Sequence, residues 1–431
     1  MSSGDELYRR FIEEGLNEAY KCVHCGFCLP TCPTYRATWN EADSPRGRIY
    51  LVKALLTGRL QPTETLLRHL DACVICRRCE TACPSGVQYS KVLEAAYAYL
   101  GNKLTNYGYP WHIRTGFKLI ESPIIIKLAL SLSNSLPGIP RHMRGFARSR
   151  DRERLDDVLG RVFRVPRDKP VRGRVLLFVT NSCVAWQSHT HLIYATIRVL
   201  TWNGFEVVVP REFRCCGAPY MHMGKFDRAL EFARHNVDVL SRYEKTHGID
   251  YVIVPDSGGC QAQWLEYERL LNTKLNLRQR ILNTLQLLDK VGPVGELGPV
   301  KMRVSIQHSC HLMNVAKAHD AVLRVITKIP GLEISGLDTA DICCGAGMMY
   351  PDRHPDIAGE ITRQKTEDLM RHKPDALIIE SVTCKAHWAN IIRDNNLGIR
   401  LIYPTELLDA SYVFGGNSGY EDIMGRSMVF K

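Results

Sequence analysis

Two runs of four cysteines stand out in the first hundred residues. The first is Cys22, Cys25, Cys28 and Cys32, the second is Cys73, Cys76, Cys79 and Cys83, and each has the spacing Cys-x2-Cys-x2-Cys-x3-Cys-Pro. In this bacterial ferredoxin spacing, three close thiolates bind one [4Fe-4S] cube and the fourth, next to the proline, binds the other cube. The sequence therefore predicts two [4Fe-4S] clusters with crossed ligands. These are Cys22, Cys25, Cys28 and Cys83 for one cluster, and Cys73, Cys76, Cys79 and Cys32 for the other.

Zinc is the alternative metal for such cysteines, but structural zinc sites usually consist of two separated Cys-x2-4-Cys pairs. The N-terminus has no apolar core that could act as a secretory signal. Reduced thiols in the cytosol therefore fit the 16 cysteines better than disulfides do. We expect a cytoplasmic protein, with peripheral attachment to the inner face of the cell membrane left open.

Helices are predicted around the two cysteine runs. Apolar periodicity favours helices over 5–20 and 62–71, and residues 87–100 follow the second run as another helix. Ser44 and Pro45 can cap and begin a helix that Gly58 ends. The pattern indicates an all-α ferredoxin-like module over residues 1–100.

Residues 101–174 carry much of the chain's net charge of +11, with 16 Lys and Arg against six Asp and Glu. The segment has neither interleaved aromatics nor a recognisable nucleic-acid-binding module, which argues against a nucleic-acid partner. Its most apolar stretch, 123–132, is ten residues long, whereas a membrane-spanning helix needs about 20. We expect 101–173 to be a basic, partly helical linker without a transmembrane segment. It can be a solvated linker, or it can contact an acidic partner or a membrane surface.

From residue 174 onward, short apolar strands alternate with amphipathic helices, and the order then repeats. The predicted strands are 175–180, 205–209, 251–255, 304–307, 332–335 and 376–380, and the predicted helices are 189–202, 225–243, 315–327 and 356–372. Such alternation favours α/β layers with mainly parallel sheets. We therefore predict a multidomain protein whose C-terminal half holds two duplicated cysteine-rich α/β domains, 174–298 and 299–431.

The cysteines of this half repeat in a one-two-one arrangement. The first copy has Cys183, Cys215, Cys216 and Cys260, and the second has Cys310, Cys343, Cys344 and Cys384. The outer cysteines follow predicted strands near helix starts, where ligands bind to α/β sheets and where thiolates are favoured. Adjacent cysteines do not readily face one cubane, but they can share irons in an unusual cluster if Gly217 or Gly345 relieves the backbone. One or two further iron–sulfur clusters are expected here, with buried apolar cysteines or zinc as the alternatives.

The chain resembles the glycolate oxidase iron–sulfur subunits over nearly its whole length. The resemblance rests on Cys-Val-His-Cys-Gly-Phe-Cys-x3-Cys-Pro-Thr-Tyr, Ser-Pro-Arg-Gly-Arg-Ile-Tyr, Cys-Arg-Arg-Cys-Glu-Thr-Ala-Cys-Pro-Ser-Gly-Val and the two Cys-Cys-Gly repeats. It implies a complex with FAD-containing subunits that oxidise glycolate to glyoxylate, while the iron–sulfur subunit carries electrons toward a membrane acceptor. The Cys-Cys-Gly repeats are also similar to the catalytic subunit of heterodisulfide reductases and to anaerobic glycerol-3-phosphate and lactate dehydrogenase iron–sulfur subunits.

The C-terminal repeats depart from the heterodisulfide reductase pattern, in which each repeat closes with Cys-x2-Cys. Here Gln263 and His387 stand at the last position, which leaves four cysteines per repeat. This departure argues against a five-ligand non-cubane cluster and against disulfide reduction. His387 is either a nitrogen ligand or an ordinary hydrogen-bonded side chain.

No flavin, nicotinamide or nucleotide fingerprint is present in the sequence. The histidines and carboxylates form no recognisable general-base cluster, so we do not expect the chain alone to oxidise a hydroxy acid. The leading hypothesis is the electron-transfer subunit of a flavin-dependent glycolate or lactate dehydrogenase, with an FAD-binding partner and a membrane quinone or soluble carrier as acceptor. Arg46, Arg48, Arg77 and Arg78 either raise cluster potentials or are ordinary surface arginines. The alternatives are reduction of a disulfide at a C-terminal cluster and a zinc-stabilised scaffold.

Overall fold

The computed structural model describes residues 3–109, 111, 113–115, 121–132, 154–417, 419, 420 and 423. These residues form two compact units. The first unit combines described residues of 1–118, 217–231 and 341–367, and the second combines those of 119–216, 232–340 and 368–431. Part of the predicted basic linker, including 133–153, lies outside the described residues. Unlike the contiguous domains expected from the sequence, the first unit includes two short segments from the C-terminal half.

The helices and strands follow one another along the chain. The helices are α1 (Ser3–Tyr20), α2 (Pro33–Thr38), α3 (Pro45–Leu56), α4 (Glu64–Asp71), α5 (Arg78–Thr81), α6 (Tyr89–Leu100), α7 (Asn102–Gly108), α8 (Pro123–Leu132), α9 (Val184–Ser188), α10 (Thr190–Trp202), α11 (Ala218–His222), α12 (Phe226–His247), α13 (Gly258–Leu271), α14 (Thr284–Val291), α15 (His319–Ile326), α16 (Tyr350–Arg353), α17 (Pro355–His372), α18 (Val382–Asp394) and α19 (Pro404–Phe414). The strands are β1 (Arg161–Phe163), β2 (Gly173–Leu177), β3 (Phe205–Val209), β4 (Tyr251–Ile253), β5 (Ile281–Leu282), β6 (Met302–Gln307), β7 (Leu332–Ile334), β8 (Ala376–Ile379) and β9 (Arg400–Ile402).

The described residues of the first unit form helices and loops and no strand. Helix α3 begins as the sequence indicates, because the Ser44 hydroxyl accepts a hydrogen bond from the Gly47 N–H at 3.0 Å and Pro45 occupies the first turn. Helices α1 and α6 pack closely at Gly15, where a Cβ atom would lie 2.3 Å from the Cβ of Ala95. These helices place the two cysteine loops side by side in one unit.

The second unit contains two sheets of matching topology. Their strand orders are β1-β3-β2-β4-β5 and β7-β6-β8-β9, and every pairing is parallel except that of β1 with β3. If β1 is left aside, the two sheets have the same order: the second strand of each copy along the chain lies at one edge, and the first, third and fourth strands follow it across the sheet. The mainly parallel sheets predicted from the strand-helix alternation are thereby confirmed.

A repeated side-chain contact supports the duplication. Asp250 accepts a hydrogen bond from the Arg174 N–H at 2.8 Å, and Asp375 accepts one from the Arg303 N–H at 2.8 Å. The two carboxylates therefore join equivalent strand edges in the two copies. A core that includes Val199 and Leu288 from the first copy and Ile306 and Leu407 from the second packs the copies together.

Two elements differ from the sequence-based expectation. The helix expected over 315–327 is interrupted, because a π-helical turn ends at Ala316 and Lys317 has a left-handed φ of 57° before α15 begins. Strand β1 lies within the predicted linker and pairs with β3, so the first sheet begins earlier than residue 174. Among the described residues, no helix combines the length and apolar character that crossing a membrane requires.

Candidate metal centres

The first cysteine run forms the wall of a surface cavity in the first unit. Cys22, Cys25 and Cys28 line this cavity, and so does Cys83, the last cysteine of the second run. We call it the first cavity. It therefore brings together the four sulfurs that the ferredoxin spacing assigns to one cluster.

A second cavity is lined by the complementary set, which is Cys32, Cys73, Cys76 and Cys79. Cys79 also reaches the wall of the first cavity, and Tyr89 lines both. The Tyr89 hydroxyl is buried without a nitrogen or oxygen partner and faces the Cys73 thiol. A hydroxyl in this position can donate a hydrogen bond to a metal-bound thiolate.

The two cysteine loops share an unusual backbone conformation. His24 and Gly26 in the first loop and Ile75 and Arg77 in the second have φ values of 56°, 91°, 54° and 60°. They stand two and four positions after the first cysteine of each run. Left-handed conformations at non-glycine residues are unfavourable and are kept where the surrounding structure demands them. The loops therefore already turn three sulfurs toward each cavity, as binding of a cube requires.

The sulfurs of the second cavity are buried close together. Burial raises the pKa of Cys73, Cys76 and Cys79, and repulsion between neighbouring thiolates adds to the shift for Cys76 and Cys79. In the first cavity, burial raises the pKa of Cys28 to about 11. Such thiols ionise readily only when a bound cation offsets the charge. Thiolates select Zn, Cu(I) or iron–sulfur clusters among metals, so this donor set fits a cluster.

Arg48 is the one of the four arginines near the cysteine runs that is almost fully buried, with 1% of its surface exposed. Its guanidinium donates hydrogen bonds to the His69 carbonyl at 2.6 Å and to the Thr34 hydroxyl at 2.9 Å. Asp43 completes this group through its carbonyl and carboxylate. The Thr34 hydroxyl in turn lies 3.2 Å from the Cys32 sulfur. Arg48 therefore provides a buried positive charge beside the second cavity.

The other three arginines also pair with carboxylates, but none of them is as deeply buried: Arg46 pairs with Glu41, Arg77 with Glu80 and Arg78 with Asp341. The sequence predicted four equivalent candidates, and burial separates Arg48 from the rest. A local signal for this difference is that Arg48 stands four and seven positions before Val52 and Leu55, which lie on the buried face of α3.

Residues 341–367 pack against the second cavity within the first unit, and we call them the covering segment. The Tyr350 hydroxyl donates to the Ala72 carbonyl at 2.7 Å, and the thiolate charge of Cys343 contributes to the raised pKa of Cys76. Asp71 pairs with Arg353 and also with His354, whose Nε2 lies 2.7 Å from the carboxylate. A segment that sequence reasoning placed in a separate domain therefore packs beside the second cysteine run.

In the second unit the four cysteines of the first repeat lie together. The Cys216 and Cys260 sulfurs are 3.6 Å apart, and after burial the charges of Cys215 and Cys260 are the main causes that raise the pKa of Cys183. Gly217, which follows the cysteine pair, has a φ of 84°, so it provides the backbone turn expected of it.

Tyr267 and Asn236 hold the cysteine pair by hydrogen bonds to the carbonyls of Cys216 at 2.9 Å and Cys215 at 3.1 Å. The Gln263 amide nitrogen, at the position of the missing fifth cysteine, is buried without a hydrogen-bond partner. Gln263 stands three positions after Cys260 on α13, and a buried amide donor is costly unless a bound group accepts a hydrogen bond from it.

The cysteines of the second repeat divide between the units. Cys343 and Cys344 belong to the first unit, where the Gly345 N–H points to the Cys343 sulfur at 3.5 Å and Gly345 has a φ of 77°. Cys310 and Cys384 belong to the second unit, and Cys384 lies in the first turn of α18. His387 lies on the same helix, three positions after Cys384.

The residues next to the closing cysteines differ between the repeats. After Cys260, the Gln261 amide donates to Gln286 at 2.9 Å. After Cys384, the equivalent Lys385 ammonium donates to Glu406 at 3.2 Å, and the His191 Nε2 lies 3.0 Å from the other Glu406 oxygen. Gln286 and Glu406 hold the same position, the third residue of the last helix of each repeat. A neutral pair in one copy is thus replaced by an ionic group in the other.

Lys385 and Glu406 of this ionic group are buried, and burial shifts the pKa of each of them. Burial lowers the pKa of Lys385, which Glu406 partly offsets, and Lys385 and His191 lower the pKa of Glu406 although burial opposes this. Asp256 accepts a hydrogen bond from the Thr405 N–H at 2.9 Å, and burial raises its pKa to about 7. Sequence reasoning missed this group, although Asp256 and Glu380 stand four residues before Cys260 and Cys384.

Comparison with known proteins agrees with this geometry. Residues 18–87 match the family model of a 4Fe-4S dicluster domain, and residues 177–264 and 304–388 match that of a cysteine-rich domain. Residues 18–87, which belong to the first unit, therefore carry two [4Fe-4S] clusters. The cysteine-rich model matches twice, which agrees with the repeat found from the cysteine spacing.

Several curated relatives cover most of the chain. The probable glycolate oxidase iron–sulfur subunit of Bacillus subtilis is 32% identical over 80% of this chain and 82% of its own length. The glycolate oxidase iron–sulfur subunit of Escherichia coli is 28% identical over 86% and 89%. One subunit of the dihydromethanophenazine:CoB–CoM heterodisulfide reductase of Methanosarcina barkeri is 24% identical over 86% and 88%. The chain belongs to the family of glycolate oxidase iron–sulfur subunits.

Proposed function

We propose that this chain is the electron-transfer subunit of a flavin-dependent 2-hydroxy-acid dehydrogenase, with glycolate as the first candidate substrate of the complex and lactate as the second. The observation that carries this proposal is the pair of adjacent cavities, each lined by cysteines from both runs. The names of the relatives supply the substrates, since two are glycolate oxidase subunits and another is a lactate utilization protein of Shouchella clausii.

The ligand sets follow the cavities. Cys22, Cys25, Cys28 and Cys83 hold one cluster, and Cys32, Cys73, Cys76 and Cys79 hold the other, within an all-α ferredoxin-like module. When bound, such clusters supply one-electron transfer at potentials set by charge, hydrogen bonds and exposure. Arg48 offsets negative charge at the second set, Tyr89 offers a hydroxyl to Cys73, and the covering segment packs beside the second cysteine run.

In the cysteine-rich half, Cys183, Cys215, Cys216 and Cys260 hold a further iron–sulfur group, with the Gln263 amide as a donor to it. Cys310, Cys343, Cys344 and Cys384 are the cysteines at the corresponding sequence positions of the second repeat. Electrons arrive from an FAD-binding partner and leave to a membrane quinone or a soluble carrier. The basic segment 101–174 is the proposed place of peripheral membrane contact.

Crossed ligation can be tested in a chain with one cluster removed. Replacing Cys22, Cys25 and Cys28 with serine should lower the iron content by about four per chain, detected by iron and sulfide analysis and electron paramagnetic resonance after anoxic purification. In this background, adding Cys32→Ser should convert or abolish the signal of the second N-terminal cluster, whereas adding Cys83→Ser should leave that signal unchanged. The opposite outcome would assign each run to its own cluster.

The function is tested by purifying the tagged chain without oxygen from its own host. Flavin should co-purify with it, and glycolate or lactate should reduce the cluster signals. A chain that carries zinc in place of iron, or that shows no reduction by either acid in the presence of its flavoprotein, would contradict the proposal.

Heterodisulfide-type chemistry is a second candidate, favoured by the 24% identity to the Methanosarcina barkeri protein over most of both chains. It predicts that the isolated chain oxidises a dithiol, and that Cys343→Ala or Cys344→Ala stops this while the N-terminal cluster signals persist. Gln263 and His387 at the positions of the fifth cysteines count against it.

A further inference from the structure

Large apolar side chains are exposed around the first cavity. Tyr20, Val23, Phe27, Trp39 and Tyr50 have 60%, 69%, 67%, 75% and 55% of their surface exposed. We call these five residues the aromatic rim. All five come from the first unit, on the end of α1, the first cysteine loop, the end of α2 and helix α3. Exposed apolar side chains grouped in this way mark interaction surfaces more often than singly scattered ones.

Contacts between neighbours connect the part of the rim that contains Tyr20, Val23 and Tyr50. The Lys53 ammonium lies 5.6 Å from the Tyr20 ring, and Tyr50 precedes Lys53 by three positions on α3. The Tyr50 ring is 6.2 Å from that of His24, whose carbonyl accepts a hydrogen bond from Arg46 at 3.0 Å. These contacts join α1, the cysteine loop and α3 into one surface.

The rim borders the more exposed of the two cluster cavities. Val23 and His24 line the first cavity, and Cys25 is exposed. In the second cavity Cys32, Cys76 and Cys79 are buried, and the covering segment packs against it. Among the described residues of the first unit, the rim therefore lies at the edge where a redox partner can approach a cluster most closely.

The charges among the rim residues are mainly positive. Residues 20–27, 35–41 and 46–53 contain one acidic residue, Glu41, and, apart from the buried Arg48, four basic ones, which are Lys21, Arg36, Arg46 and Lys53. Lys21 pairs with Glu18 and Arg46 with Glu41, so the surplus of positive charge comes from Arg36 and Lys53. Tyrosine, tryptophan and arginine are the residues that most often dominate binding at protein interfaces. A matching surface would present apolar side chains bordered by carboxylates.

We propose that the aromatic rim is the docking surface for the flavoprotein that donates electrons to this chain. This inference rests on the proposed function and adds to it the place of electron entry. The flavoprotein contributes an apolar patch bordered by acidic side chains, and the first cavity is the entry point.

Tyr50→Asp tests the proposal against the matched control Tyr99→Asp. Both tyrosines are exposed on helices of the first unit, by 55% and 50%, and Tyr99 lies near the end of α6, which contributes no residue to the rim. The probe is the flavoprotein released from the native complex, and its affinity is measured by sedimentation or biolayer interferometry without oxygen. Tyr50→Asp should raise the Kd at least about tenfold, while Tyr99→Asp should leave it unchanged. Iron content and cluster signals should match the wild type in both variants.

A second substitution outside the cysteine loop tests the charge. Lys53→Glu should weaken binding, and the difference from the wild type should shrink as salt is raised. Reduction of the clusters by the flavoprotein and its substrate should slow at low concentrations of Tyr50→Asp and recover at high concentrations, because docking and not the cluster is altered.

Unchanged flavoprotein affinity in Tyr50→Asp and Lys53→Glu would overturn the docking surface while leaving the proposed function in place. A dimer of the chain that Tyr50→Asp dissociates, with flavoprotein binding unaffected, would also overturn it, because the rim would then join two copies. Binding of the rim to anionic vesicles and not to the flavoprotein would overturn it as well. If the wild type binds no flavoprotein, the proposed function itself fails.

Discussion

Replacing Lys385 with glutamine should destabilise the second repeat, because the buried Glu406 carboxylate loses its cation. Removing one partner of a buried ion pair costs about 3–5 kcal/mol. The lower end applies here, since Glu406 keeps His191 at 3.0 Å and the Tyr403 N–H at 2.9 Å. At about 2–4 °C per kcal/mol for domains of 150–250 residues, we expect the Tm to fall by about 6–12 °C.

The first repeat supplies the control, because Gln261 and Gln286 already form a neutral pair at the equivalent positions. A double variant, Lys385→Gln with Glu406→Gln, recreates that pair and should unfold within about 1 kcal/mol of the wild type. Calorimetry and far-ultraviolet circular dichroism without oxygen measure both variants, with iron content checked beforehand. The ion-pair explanation fails if the double variant is no more stable than Lys385→Gln, or if Lys385→Gln has the same Tm as the wild type.

Three further predictions address other buried groups. Burial raises the pKa of Asp256 to about 7 in the folded chain, above the usual range of an aspartate. Between pH 5.5 and 7 the folded chain therefore binds a proton that the unfolded chain has lost, and the contribution of Asp256 to the free energy of unfolding should fall by about 2 kcal/mol as the pH rises over this range. Asp256→Asn should remove this fall in denaturation curves, and parallel curves for both chains would refute it. Arg48→Met should lower the potential of the second cluster by about 40–90 mV, from about 1–2 kcal/mol for a lost unit charge, while Arg48→Lys should lower it less. Redox titration followed by electron paramagnetic resonance measures this, and equal potentials would contradict the role of the charge. Arg353→Met removes the ion pair with Asp71, so proteases should cleave the covering segment faster than in the wild type. Equal cleavage rates in the variant and the wild type would show that this ion pair does not hold the segment.

The parts of the molecule that sequence reasoning predicted depend on short-range spacing. The crossed sets of cysteines were predicted from the spacing within each run, and both cavities are lined by cysteines from the two runs, with Cys79 in the lining of both. Strands such as β3 and β8 were found because a buried parallel strand reads as a short apolar run.

The parts that sequence reasoning missed depend on contacts between distant residues. The break before α15 comes from Lys317 in a left-handed conformation, without the glycine or proline that usually signals one. Strand β1 has only three residues, too few for a periodic pattern. The burial of Arg48 depends on contacts with Thr34, Asp43 and His69, which are 5 to 21 positions away. The position of the covering segment depends on contacts across 278 and 282 positions, which no local pattern records.

The covering segment also sets an order of events during synthesis. The sulfurs of both runs leave the ribosome within the first 83 residues, but Tyr350, which bonds to Ala72, follows much later. At about 5–20 residues per second, roughly 10–50 s pass between the synthesis of residue 118 and that of Tyr350. During this interval the second cysteine run lacks its contacts with the covering segment, which form only once the second Cys-Cys-Gly motif has been made. A cluster inserted in this interval would be in place before the Asp71 and Arg353 pair forms, so the chain order separates the synthesis of the ligands from that of the segment that packs beside them.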